Sequence, residues 1–153
     1  MNLQKAPTLS NYCLPYAAGM VIDVSGQEII KHIGHDGQEV WFPDEDEQWK
    51  RLRLFHIREI IDVFWEYGYT LTPIEVMPNI IPSQDYTEPG RNLWPVDVAI
   101  KKFESAIAGR RGIIFTESHA VAWDGCVVHD PNGFTASLGD YTIRDCWTLG
   151  KLI

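Results

Sequence analysis

The stretch Ser118-His119-Ala120-Val121-Ala122-Trp123-Asp124-Gly125-Cys126-Val127-Val128-His129-Asp130 decides how this chain is read. Two β-rich runs flank an Asp-Gly pair, a strong short-range hairpin signal because both turn residues must take positive φ. With Asp124 and Gly125 as the two loop residues, Trp123 faces Cys126 and His119 faces Asp130. Directly opposed side chains share one sheet face with Cβ atoms about 4.5–5.5 Å apart. An imidazole and a carboxylate so placed can hydrogen-bond, which fixes the tautomer of a catalytic histidine and stabilises its imidazolium. His129 faces Ala120 on the opposite side and reads as structural. Val121, Trp123, Cys126 and Val128 share the His119 face as an apolar floor, so Cys126 reads as a buried packing thiol.

Working outward, Gly112 to Phe115 is a further β-rich run, Pro131 to Gly133 an exit turn, and Phe134 to Thr148 a region of short strands. Upstream the pattern is helical. A helix opens near Cys13, because Pro15 is tolerated only in a first turn and Tyr16 to Val24 are apolar apart from Asp23. Ser25 and Glu28 form a capping-box pattern for a helix over Gly26 to Ile33, closed by Gly34. Ile57, Ile60, Ile61, Phe64 and Trp65 recur at helical spacing as core positions, and Gly68 ends that helix. Thr70 to Met77 alternates as a strand. Pro78 to Leu93 is a long irregular loop of the kind that serves as a lid or binding edge. Pro95 starts another helix, running to Ala108 with Val96, Ala99, Ile100 and Phe103 inward. Helices come first and strands last: an α+β class, with a helical N-terminal half packed on a C-terminal antiparallel β-sheet.

The 153 residues suit one domain over the whole chain, 1–153. Thirteen basic against 21 acidic side chains give a net charge of −8. Such a surface repels phosphate backbones and anionic headgroups, so neither nucleic acid nor membrane is expected as a partner. The acidic run Asp44 to Glu47 reads as a solvated loop or helix start. The apolar stretch Leu14 to Ile22 is too short to span a bilayer, and it lacks the basic start and cleavage site of a signal peptide. Three cysteines without a dense framework suit a reducing compartment such as the cytoplasm and leave thiols free for chemistry.

One of those thiols is well placed. Cys13 falls where a helix opens, and the unsatisfied amides and positive dipole end there stabilise a thiolate. Its own amide can help to cradle an oxyanion. A helix-opening Cys, a later strand His and a cross-strand Asp together point to nucleophilic catalysis, with Cys13, His119 and Asp130 as the catalytic set. His32 and His35 are closely spaced, but the cysteines are scattered and form no CxxC pair, so neither a metal nor another cofactor is expected.

The segment Asn11-Tyr12-Cys13-Leu14-Pro15-Tyr16-Ala17-Ala18 resembles the nucleophile region of papain-like cysteine peptidases. Ser118 to Gly125, with Val127-Val128-His129-Asp130-Pro131-Asn132-Gly133, resembles the histidine strand and Asp-Pro turn of their bacteriocin-processing, double-glycine-leader branch. The resemblance implies a papain-like fold and a cysteine peptidase or amidohydrolase that cleaves a peptide or related amide bond of a peptide or protein substrate through a thioester. Cys13 would attack the carbonyl, His119 would move the proton and Asp130 would orient His119. Asn132 is a weaker orienter, falling beyond Pro131. Family members usually carry a Gln about six residues before the nucleophile to complete the oxyanion hole, and here that position is Pro7. Gln4 and Asn11 are the amides at hand, Gln4 favoured because an extended approach could fold it back. The rival reading is a papain-like scaffold without activity that binds a protein partner, with Trp41, Trp49 and Trp94 as candidate anchors.

Overall fold

A computed structural model describes residues 1–8, 10–41, 51–76 and 95–152. The acidic run, Trp49, Trp94 and the expected loop from Pro78 to Leu93 lie outside the described residues. The elements run α1 (Cys13–Ile22), α2 (Gly26–Ile33), β1 (Val40–Trp41), β2 (Arg51–Leu52), α3 (Ile57–Glu66), β3 (Tyr69–Ile74), α4 (Val96–Ile107), β4 (Gly112–Phe115), β5 (Ala120–Trp123), β6 (Val128–Asp130), β7 (Phe134–Ala136) and β8 (Asp145–Lys151). A 3₁₀ turn at Leu138–Asp140 separates β7 from β8. The α+β class stands. β3 to β8 form one six-stranded antiparallel sheet in the order β3-β8-β4-β5-β6-β7. β1 and β2 pair separately.

Helix α1 is buried from Leu14 to Ile22, as an apolar segment too short for a bilayer should be when it becomes the core of a domain. No helix among the described residues is long and apolar enough to cross a membrane. Pro15 costs α1 nothing, since it sits in the first turn where its missing N–H has no intrahelical acceptor. Helix α2 has the expected bounds: the Ser25 hydroxyl accepts from the Glu28 amide at 3.0 Å, and Gly34 closes it in the left-handed conformation. Helix α3 buries Ile60, Val63 and Phe64 but leaves Trp65 61% exposed, so Trp65 is not the core residue that its spacing suggested.

Helices pack on both faces of the sheet rather than on one. Ile113, Ala120 and Ala122 meet α1 and its neighbours α2 and α3 in one apolar cluster. On the other face Ile114, Val121, Trp123 and Val128 meet Phe103 and Ile107 of α4. β5 is therefore buried along its whole length, which suits its unbroken Ala-Val-Ala-Trp run. The Trp123 indole donates to the Ile107 carbonyl at 3.0 Å and so locks α4 to the sheet.

The β5–β6 hairpin differs from the expected one. Trp123 pairs with Val128 and Ala122 with His129, leaving Asp124 to Val127 as a four-residue loop. Asp124 Oδ1 accepts from the Cys126 and Val127 amides, both at 2.8 Å, and this side-chain cap stabilises the wider turn. Gly125 takes φ +103 and approaches Gly109 so closely that a Cβ would press on its backbone. Cys126 is consequently an exposed loop residue, not a buried packing thiol. The slip is two residues, and a slip of two preserves which face each side chain takes.

Between α1 and α2 the chain turns so tightly that Gly26 lies under the Tyr16 ring, and a Cβ there would penetrate it. Gly26→Ala should cost about 1–3 kcal/mol through overpacking. A urea midpoint as high as that of the native chain would contradict this contact.

Candidate active site

The paired strands end at a cleft of about 690 Å³, into which the first turn of α1 also projects. Its walls include Asn11 and Cys13 from the α1 approach, Phe55 from the chain before α3, and Phe115, His119 and Asn132 from the sheet side. Cys13 is the first residue of α1, which has no side-chain cap, so the amides of its opening turn are free for the sulfur. His119 stands just ahead of β5, 22% exposed. Asp130 ends β6 and is 2% exposed.

The structure brings Cys13, His119 and Asp130 together. His119 Nε2 lies 2.8 Å from Asp130 Oδ1. The thiol of Cys13 hydrogen-bonds with the same ring. Because Nε2 is taken by the carboxylate, Nδ1 is the nitrogen that faces the sulfur. His119 and Asp130 are not directly opposed, as the two-residue turn required; His119 lies ahead of β5, outside its pairing with β6, and its ring reaches the carboxylate from there.

Burial pushes the Cys13 thiol up, but hydrogen bonds from His119 and from the Ala120 and Leu14 amides outweigh it and hold the thiol below its ordinary 9.0. The hydrogen bond with Cys13, opposed by burial and aided by Asp130, raises His119 from 6.5 to about 9. Burial alone pushes Cys146 up to about 12. Cys13 is thus the thiol that the surroundings favour as a thiolate.

Asp130 has more partners than the triad pattern supplies. Its Oδ1 also accepts from the Asn132 amide at 2.8 Å, and its Oδ2 accepts from the Tyr141 hydroxyl at 2.7 Å. Asn132 therefore does steady the carboxylate, through its backbone rather than its side chain. Tyr141 has no counterpart in the sequence reading. Burial and the neighbouring carboxylate raise its pKa, so it remains a protonated donor. A buried Asp demands such donors, which predicts that one exists but not that it lies past a 3₁₀ turn.

Gln4 is a correction. Its Nε2 donates to the Val24 carbonyl at 2.6 Å and its Oε1 accepts from the Gly26 amide at 2.9 Å. Both partners lie past the C-terminal end of α1, about 15 Å along the helix from Cys13 at 1.5 Å per residue. Gln4 ties the α1–α2 turn and is not an oxyanion donor. Asn11 does line the cleft and is exposed.

The remaining histidines have other partners. His129 Nε2 meets Asp124 Oδ2 at 2.7 Å, His35 Nε2 meets Glu59 Oε1 at 2.5 Å, and His32 Nδ1 meets Glu66 Oε2 at 3.0 Å. Among the described residues no three His, Cys, Asp or Glu side chains converge as metal ligands. No family model, curated protein or solved structure matches this chain.

The two shifted groups have opposite effects on stability. His119, raised above 6.5, by itself gives stability present in full below 6.5 and lost as pH rises through about 9. Cys13, lowered from 9.0, by itself gives stability present above 9.0 and lost as pH falls through its depressed value. Where the two windows overlap, the extra proton on His119 and the missing proton on Cys13 offset each other in the pH dependence of stability. Spectroscopy exposes it instead. In a Cys126→Ser background, the ultraviolet thiolate titration of Cys13 should have a midpoint below 9.0 that moves upward in His119→Gln; identical midpoints would contradict the pairing. Tyr141→Phe, which strips a buried carboxylate oxygen of its donor, should lower unfolding stability by about 1–3 kcal/mol in urea.

Proposed function

We propose that this chain is a papain-like cysteine peptidase or amidohydrolase that cleaves a peptide or related amide bond. The observation that carries the reading is the convergence of Cys13, His119 and Asp130 at one end of a cleft, with the thiol depressed and the imidazole raised. An open cleft with Phe55 and Phe115 in its walls suits a peptide segment better than a small polar solute.

In this mechanism the Cys13 thiolate attacks the carbonyl carbon, and the oxygen takes the negative charge. The Cys13 amide, unused by its own helix, is the first donor for that oxyanion, and Asn11 is the side-chain amide at hand. The His119 imidazolium gives its Nδ1 proton to the leaving nitrogen, the C–N bond breaks and an acyl thioester remains on Cys13. Water then attacks the thioester while His119 takes a proton. Collapse releases the acid and restores the thiolate beside the imidazolium. Asp130 holds the ring throughout and disperses its charge.

The second reading, a scaffold without turnover, draws on one observation: Gln4 is committed to the α1–α2 turn and Pro7 supplies no donor. The two readings part on cysteine chemistry. Near neutral pH, iodoacetamide should modify Cys13 faster than Cys126 or Cys146, and His119→Ala should remove that preference. Cys13→Ala should abolish turnover with the fold intact, and Asn11→Ala should lower kcat by roughly 10²- to 10³-fold if Asn11 is the second donor. Equal labelling of the three thiols would reject the peptidase.

A further inference from the structure

The cleft carries an asymmetry of charge that the hydrolytic mechanism does not use. Apart from His119, the charged side chains of its described lining are Lys5 and Glu117. Glu117 is already matched: its Oε1 lies 2.9 Å from Arg144 Nη2. The Lys5 ammonium has no such partner among the described residues.

Lys5 is held in place by its backbone and its stem. It forms an isolated antiparallel bridge with Asn132, and the next amide, Ala6, donates to the Pro131 carbonyl at 2.7 Å. Its methylenes lie over Gly133, where a Cβ would come within 3.1 Å of Lys5 Cδ. A residue with a side chain at 133 would displace the stem, and φ +98 favours glycine there as well. The same Pro131–Asn132 turn holds Asp130 through the Asn132 amide, and Asp130 in turn holds His119. Lys5 therefore belongs to the His119 side of the cleft.

That side has a defined chemical role if the peptidase reading holds, on which this inference rests. His119 must deliver its proton to the leaving nitrogen, so the fragment released first lies against His119 and its neighbours. We propose that Lys5 forms a subsite for a carboxylate carried by this leaving fragment, either the side chain of an acidic residue or a terminal carboxylate. On a chain of net charge −8 an unmatched cation in a cleft is a local attraction for an anion that the rest of the surface repels. Lys5 does no chemistry in this scheme; it selects which amide is presented.

The subsite can be read without knowing the natural substrate, using dipeptides that carry the free amine of a released fragment. Cys13 alkylation by iodoacetamide forms the C–S bond and expels iodide, and a ligand seated beside His119 slows it. Three compounds at equal millimolar concentration separate the sources of charge: glutamyl-glycinamide has only a side-chain carboxylate, glutaminyl-glycine only a terminal one, and glutaminyl-glycinamide neither. At least one acidic compound should protect Cys13 roughly threefold better than the neutral one, in line with a partly exposed ion pair. The compound that protects identifies the carboxylate. That advantage should vanish in Lys5→Gln, reverse in Lys5→Glu and persist in Lys5→Arg. Lys151→Glu makes the same change of net charge at the far end of β8, about 20 Å along the strand from Asp145 beside Phe115, and should leave the advantage intact. Equal protection by all three compounds, or an advantage that survives Lys5→Gln, overturns the subsite while leaving the peptidase reading standing. Failure of Cys13 to outreact the other thiols in the native chain strikes the peptidase reading instead.

Discussion

A carboxylate at 2% exposure is the constraint around which the sheet end is arranged. Burying an ionised Asp costs several kcal/mol unless its oxygens are supplied with donors. Asp130 receives three, from the residue ahead of β5, from the turn after β6 and from the segment that follows the 3₁₀ turn. Each donor fixes a stretch of chain: His119 sets the entry to β5, Asn132 tightens the Asp-Pro turn, and Tyr141 draws the link between β7 and β8 back over the strand end. The imidazole is thereby oriented by packing and not by its own backbone alone. Its free nitrogen is aimed at the opening turn of α1.

The parts of this arrangement that were legible in the sequence are those set by local chemistry or by parity. Helix α2 has the bounds that its Ser25–Glu28 cap and Gly34 dictate, because capping is settled within a few residues. The meeting of His119 with Asp130 was readable although the register was not. The Asp124 side chain prefers to cap two amides of a four-residue loop, which moves the pairing by two and leaves the faces unchanged. Cys126 departs from its expected burial for the same reason, since the added loop residues lift it out of the strand. Trp65 departs from its expected burial because helical spacing defines a stripe but not its width, and Val63 rather than Trp65 completes the buried side of α3.

What could not be read depends on contacts between distant segments. Nothing near Gln4 announces that its amide will close the turn between α1 and α2, twenty or more residues ahead. Nothing near Lys5 announces Asn132. Leu54 is a further case. It takes φ +54, an uncommon conformation for a residue with a branched side chain, and its amide donates to the Gly37 carbonyl at 2.9 Å. That bond and the packing of Phe55 on His35 and Tyr12 hold the segment on the cleft wall despite the local cost.

The strand order has a bearing on how the protein comes into being on the ribosome. β8 follows every other strand in the chain, yet it lies between β3 and β4. Until it is laid down, β3 has no partner in the sheet, and pairings this remote in sequence form late because their loop entropy must be met first. Cys13 and His119 are likewise remote in sequence, so their contact also waits on long-range packing.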